Sequence, residues 1–105
     1  MADIIELIRS QFANEAFRVT AHAQAEMVEE EIELEDVLQC LVSGQALENY
    51  PEHRRGACCL IGGRDKKGRP VHVVCATANP LLIVITVYTP KPPKWPTPEK
   101  RGVNS

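Results

Sequence analysis

Two runs late in the chain, residues 71–77 and 81–89, are apolar on both faces of an extended backbone. Val71, Val73 and Cys75 alternate with Val74 and Ala76, and the stretch from Leu81 to Val87 is nearly continuous. Successive side chains of a strand point to opposite faces, so these runs are central strands that need cover on both sides. The upstream helices supply one cover. The second has to come from the C-terminal tail, a twin subunit or another protein.

Upstream, Asp3 and Glu6 form a D-x-x-E start, and Ile4, Ile8 and Phe12 recur on one face, which predicts a helix over 3–13. Phe17-Arg18-Val19 is long enough only for an edge strand or an extended lead-in. Thr20 suits the N-cap of a second helix reaching about Glu30, with Ala23, Met27 and Val28 inward and frayed by the like charges of Glu29, Glu30 and Glu31. A third helix begins near Leu34, turns Val37, Leu38 and Leu41 inward, and ends at Gly44, a residue suited to a left-handed C-terminal conformation.

From Gln45 the pattern becomes strand-like, over 45–50, 57–61, 71–77 and 81–89, an antiparallel meander. A basic loop over 64–70 and a tighter turn at Ala78-Asn79-Pro80 connect its strands. Residues 90–105 hold five of the eight prolines, which excludes helix and sheet and predicts an extended, polyproline-like course. Trp95, the only tryptophan, is too large a ring for a merely solvated tail, so it docks on the sheet or on a partner. The fold class expected is α+β: two to three N-terminal helices on a four-stranded antiparallel meander, with residues 1–90 as one domain and 91–105 as a Pro-rich tail.

The charge is divided. Residues 1–50 carry eleven acids against Arg9 and Arg18, and residues 51–105 carry three acids against ten Lys/Arg. Such a split either marks one face for an anion such as RNA and another for a basic surface, or leaves two ordinarily solvated faces. The pI of about 5.9 lies far from that of dedicated nucleic-acid binders. No apolar run approaches a membrane span and the N-terminus lacks a basic secretory start, so a cytoplasmic protein with its four cysteines reduced is expected.

His22 falls at the first turn of the second helix, four residues before Glu26, where N–H groups and the dipole favour anions. It is either a general acid/base or phosphate ligand, or a helix-start histidine satisfied by a neighbouring group. His72 depends on register: a two-residue turn at 78–79 sets it with Ile83 and Ile85, whereas a three-residue turn sets it beside Thr86 and Tyr88. His53 with Cys58-Cys59 invites a metal, but adjacent strand residues face opposite ways and no C-x-x-C is present, so neither metal nor cofactor is expected. Arg54-Arg55, Arg64, Lys66, Lys67, Arg69, Lys91, Lys94, Lys100 and Arg101 are the basic side chains that, with Tyr88 and Trp95 as stacking rings, suit single-stranded RNA. There is no P-loop, G-x-G-x-x-G, nucleophile elbow or HExxH.

The segments Phe17-Arg-Val-Thr-Ala-His-Ala-Gln-Ala-Glu-Met27, Glu35-Asp-Val37, Tyr50-Pro51, Pro70-Val-His-Val-Val74 and Ile85-Thr-Val-Tyr-Thr-Pro90, with Trp95, carry a resemblance. The chain resembles the small bacterial domain-of-unknown-function family 4258, from about Phe17 to Arg101. That family is similar to the RelE/BrnT-like toxins, α+β proteins that cleave RNA without metal, and some members are encoded beside an antitoxin with a YgiT-type zinc finger. The resemblance singles out Thr20, His22, His72, Thr86 and Tyr88. Where many relatives have Arg, this chain has Glu26, which repels a phosphate that Arg would grip.

Two functions follow as expectations. The first is a toxin-like endoribonuclease in which His22 or His72 moves protons, with Thr20 and Tyr88 as further catalytic groups. Arg64 or Arg69 would stabilise the pentavalent phosphate, and Lys66, Lys67, Lys91 and Trp95 would hold RNA. The second is a non-catalytic interaction module that binds a zinc-finger partner or a second copy of itself.

Overall fold

A computed structural model describes residues 17–51, 56–76, 82–92, 94–95 and 97–101. In chain order the elements are β1 (Phe17–Val19), α1 (Ala21–Glu29), α2 (Leu34–Ser43), β2 (Gln45–Tyr50), β3 (Cys58–Arg64), β4 (Pro70–Ala76) and β5 (Leu82–Tyr88). The helix expected over 3–13, the turn at 78–80 and the residues His53, Arg54 and Arg55 lie outside the described residues.

Local chemistry sets the helix ends. Thr20 is extended, and its hydroxyl accepts from the Ala23 N–H at 3.1 Å, capping α1 as expected. The helix stops in a Schellman motif, with the Ile32 N–H donating to Met27 O and the Glu31 N–H to Val28 O. Glu31 occupies the left-handed position with φ 56°, where glycine is the usual residue. At the start of α2 the Asp36 carboxylate accepts from the Glu33 N–H at 2.9 Å. Gly44 ends α2 but is not left-handed, as φ is −82°. It is needed because a Cβ would lie 2.4 Å from Cys40 O and 2.6 Å from Gly62 O.

The sheet has five strands in the order β1-β5-β4-β3-β2. β2 to β5 form the antiparallel meander, and β1 adds to the outer edge of β5 in parallel. This corrects the four-stranded antiparallel expectation to a mixed sheet. A three-residue strand carries almost no pattern of its own, and its parallel partner lies more than sixty residues away. Beyond β1 the edge of β5 is still satisfied. The Thr20 N–H donates to Val84 O, the Thr20 hydroxyl to Ile85 O, and the Val87 N–H to Glu26 Oε1 at 3.0 Å.

One face of the sheet is covered by the helices. Ala23 of α1 and Val37, Cys40 and Leu41 of α2 pack over Ile61, Val73 and their neighbours. Gly63 lets α2 approach closely, since a Cβ there would sit 3.0 Å from the Cys40 backbone. The opposite face is covered by the tail, through Trp95. The tail does not run as an extended polyproline segment. It turns twice, through the Trp95 N–H to Lys91 O and the Lys100 N–H to Thr97 O.

Two bulges decide what that second face displays. In β5, Cys75 pairs with Val84 but Val74 with Thr86, leaving Ile85 as an extra residue. The register near the turn is the one that aligns Ala76 with Ile83; after the bulge it is the one that aligns His72 with Tyr88. Val87 thereby enters the helix-side core, and Tyr88 moves to the tail side. In β2, Ala46 pairs with Ile61 but Glu48 with Leu60, so Leu47 is the extra residue. Glu48 and Tyr50 swing to the tail side as well. A bulge inverts the alternation downstream of itself, and here both do so toward the same place.

Candidate functional site

His72 sits at the centre of the tail-side face, 1% exposed. Its Nε2 lies 2.6 Å from Pro98 O, which can only accept, so Nε2 carries the proton of the neutral ring. Nδ1 is then the acceptor, and the Tyr88 hydroxyl donates to it at 3.1 Å. Burial holds the His72 pKa below its ordinary 6.5, opposed by the Pro98 carbonyl and by the charges of Glu48 and Glu99. Burial likewise pushes the Tyr88 phenol up. The result is a neutral, tautomerically defined imidazole joined to a phenol.

Around this pair stand groups drawn from β2 and from the C-terminal tail. Trp95, 3% exposed, packs edge-on against His72 with ring centroids 4.4 Å apart and planes at 90°. Arg101 lies over the indole at 4.8 Å and grips Glu48 through two bonds of 2.7 Å. That grip holds the Glu48 carboxyl below its ordinary range. The Tyr50 hydroxyl also donates to Glu48, and burial followed by that carboxylate pushes Tyr50 up to about 12. The Trp95 indole adjoins the Tyr88 hydroxyl and works against the rise that burial imposes on that phenol.

A model of the family described as "Domain of unknown function (DUF4258)" matches residues 19–89, over half of the chain. The chain belongs to the DUF4258 family. No curated protein matches it, and no solved structure does. The DUF4258 match takes in Glu48, Tyr50, His72 and Tyr88 and stops short of Trp95, Pro98 and Arg101.

The sequence-derived residues divide between the two faces of this DUF4258 domain. His72 and Tyr88 come together. His22 does not join them, because it lies on α1 with the sheet between, 68% exposed, its Nε2 3.3 Å from Glu26 Oε1. Thr20 is likewise remote, and its hydroxyl is occupied as N-cap acceptor and as donor to β5. Glu26 has a structural use that an arginine could not fill, since it accepts the Val87 N–H. Trp95 is enclosed by His72 and Arg101 and so presents no free stacking face.

Among the described residues, most of the cations proposed for RNA are engaged within the molecule. Arg69 donates to Glu30 O, Glu31 O and Asp65, fastening the basic loop to the C-terminus of α1. Lys66 pairs with Glu35 at 2.7 Å, and Lys91 lies 3.8 Å from Glu30. Arg64 donates to Gly68 O and sits 3.7 Å from Glu99. Lys67 is exposed. The charge split of the sequence is thus in good part complementarity between the chain's own halves.

Glu48, Tyr50 and Pro98 are site residues that the sequence did not reveal. Glu48-x-Tyr50 has the spacing of one strand face, which is a signal, but the face is readable only once the Leu47 bulge is known. Cys59 and Cys75 oppose each other across β3 and β4 with sulfurs 3.9 Å apart, and all four cysteines are buried thiols outside any disulfide.

Proposed function

We propose that this chain is a metal-independent endoribonuclease whose proton-moving pair is His72 and Tyr88. The observation that carries it is the convergence of Glu48, Tyr50 and Tyr88 on His72 by two separate bulges. Bulges concentrate beside active sites because they re-aim side chains, and each of these two turns polar side chains to the tail side. The resemblance to RelE/BrnT-like toxins supports the same chemistry, in a cytoplasmic toxin–antitoxin pair whose partner is a zinc-finger protein.

The reaction is a transesterification. His72 Nδ1 takes the proton from a ribose 2′-OH as that oxygen bonds to the adjacent phosphorus. The bond from phosphorus to the 5′-oxygen breaks, and the Tyr88 hydroxyl protonates the leaving oxygen. The imidazolium returns its proton to the Tyr88 phenolate across their 3.1 Å contact. Arg64, on the tail-side edge of β3, is the cation for the pentavalent phosphate, because Arg69 is spent on α1.

The test is incubation of the chain with mixed single-stranded RNA in EDTA, followed by mapping of fragment ends. Fragments ending in 2′,3′-cyclic phosphate are expected. They should fall by about a hundredfold or more in His72→Phe and persist in His22→Ala. Cutting that is unchanged in His72→Phe would overturn the assignment. Intact RNA throughout would favour the second reading, a non-catalytic interaction module. That reading is favoured by the internally paired cations and by the outward apolar side chains of Val28, Leu34 and Val42, set among acids. Such a surface suits a basic partner or a second copy.

A further inference from the structure

From Ala21 to Ser43, through both helices and the joint between them, the chain carries seven acids and not one Lys or Arg. Cations from other segments answer some of these. Lys66 pairs with Glu35, Lys91 lies near Glu30, and Arg69 holds the Glu30 and Glu31 carbonyls. Among the described residues, no cation reaches ion-pairing distance of the Glu29, Glu31 or Glu33 carboxylates. Glu29 and Glu31 stand at the C-terminus of α1, where the helix dipole is already negative and a cation is favoured.

The same side of the molecule exposes aligned apolar groups. Besides its buried residues Val37, Cys40 and Leu41, α2 carries Leu34, Leu38 and Val42 at four-residue spacing, one stripe along its outer side. Leu34 is 42% and Val42 47% exposed. On α1, Val28 is 81% exposed, and with Met27 and Ile32 it lines a groove of about 470 Å³ completed by Gln24, Glu31 and Glu33. A second groove of about 300 Å³ runs beside Leu38 and Val42. Single apolar residues are ordinary on a surface, whereas a continuous apolar track rimmed by polar groups marks a contact with another protein.

We infer that this face is the docking site for a basic amphipathic helix presented by a protein partner. Apolar anchors on one side of that helix meet Leu34, Leu38 and Val42, a span of roughly 12 Å, and its Lys or Arg side chains meet Glu31 and Glu33. Charge selects this occupant. RNA and anionic lipid are repelled by the unanswered acids, and a second copy laid on the same face brings only another pair of helices without a base. The inference rests on the interaction reading above and commits it to one partner chemistry. It is compatible with the ribonuclease reading, because His72 lies on the other side of the sheet.

The probe is a labelled helical peptide of about 18 residues, roughly five turns, made only of leucine along one face and lysine elsewhere. A twin peptide has glutamate in place of lysine. Anisotropy with the full wild-type chain should show binding of the lysine peptide and none of the glutamate one. Leu34→Ser combined with Val42→Ser should weaken binding about tenfold or more, and Glu31→Gln combined with Glu33→Gln about threefold to tenfold. Val28→Ser alters only an 81%-exposed side chain, so a loss of binding in that variant reports contact and not folding. His72→Phe should bind the peptide as the wild type does.

Binding that falls with the glutamine changes but is untouched by all three serine changes is attraction to charge alone, and it overturns the inference. A wild-type dimer in sedimentation that Leu34→Ser with Val42→Ser dissolves overturns it in favour of a second copy and keeps the interaction reading. A monomer that binds neither peptide overturns the inference and removes this face from the interaction reading. RNA cutting, measured separately, should be unchanged by the serine variants.

Discussion

The two faces of one sheet are built to different rules. On the helix side, Leu41, Ile61, Val73 and Val87 meet with hardly a polar atom among them, and the elements that cover them are regular helices. On the tail side, an imidazole, two phenols, a carboxylate and a guanidinium are hydrogen-bonded under an irregular cover. β4 contributes to both, with Val71, Val73 and Cys75 up and His72 down. The difference teaches where stability and chemistry reside. A dry face holds the strands in place so that the other face can keep buried polar groups that contribute far less to holding the fold.

The comparison breaks most visibly on the helix side. Leu41→Ala removes a 1%-exposed side chain from that core and should cost about 3 kcal/mol, read as a lower denaturation midpoint. An effect under about 1 kcal/mol would mean that the tail side shares more of the stabilisation than its packing suggests.

His72→Phe tests the other face. It leaves Pro98 O and the Tyr88 hydroxyl without their partner, a cost of about 1–3 kcal/mol at neutral pH. It should also change the pH response. The His72 pKa is lowered on folding, so the unfolded chain takes up the proton first as pH falls. Stability is therefore full above the ordinary 6.5 and declines as pH drops from there toward the folded value. Thermal midpoints measured across that window should fall for the wild type and stay flat there for His72→Phe. Glu48 adds a second loss below its ordinary 4.5, in both chains, because Arg101 lowers its pKa.

The smallest expected change sharpens the contrast at the joint between α1 and α2. Glu31→Gly relieves a left-handed backbone at φ 56° and should raise stability by about 0.5–1 kcal/mol. Calorimetry showing a loss instead would mean that the Glu31 side chain contributes something to this joint beyond its backbone.

Much of this architecture was readable in the residues. Thr20 as a cap, the two helices after it, the four meander strands and the need for a second cover follow from periodicity and from strands apolar on both faces, while the source of that cover stayed open between the tail, a twin subunit and another protein. The size of the Trp95 ring called for docking on the sheet or on a partner, and the sheet is where it lies. The site was less legible for a specific reason. Alternation with period two predicts a side chain's face only until a bulge intervenes, and Leu47 and Ile85 are ordinary strand residues with nothing to mark them. Of the two neighbourhoods weighed for His72, the one with Thr86 and Tyr88 is found, and the extra residue Ile85 is what sets it. The Glu48–Arg101 clamp spans 53 positions, and no local pattern encodes it.

That clamp has a mechanical meaning. A pull applied at the C-terminal end reaches Arg101 and its two bonds to Glu48 before it reaches any strand, and β5 behind it is braced between β4 and β1. The load is borne first by side chains that can let go and re-form, so the chain yields by uncovering His72 long before it gives up its sheet.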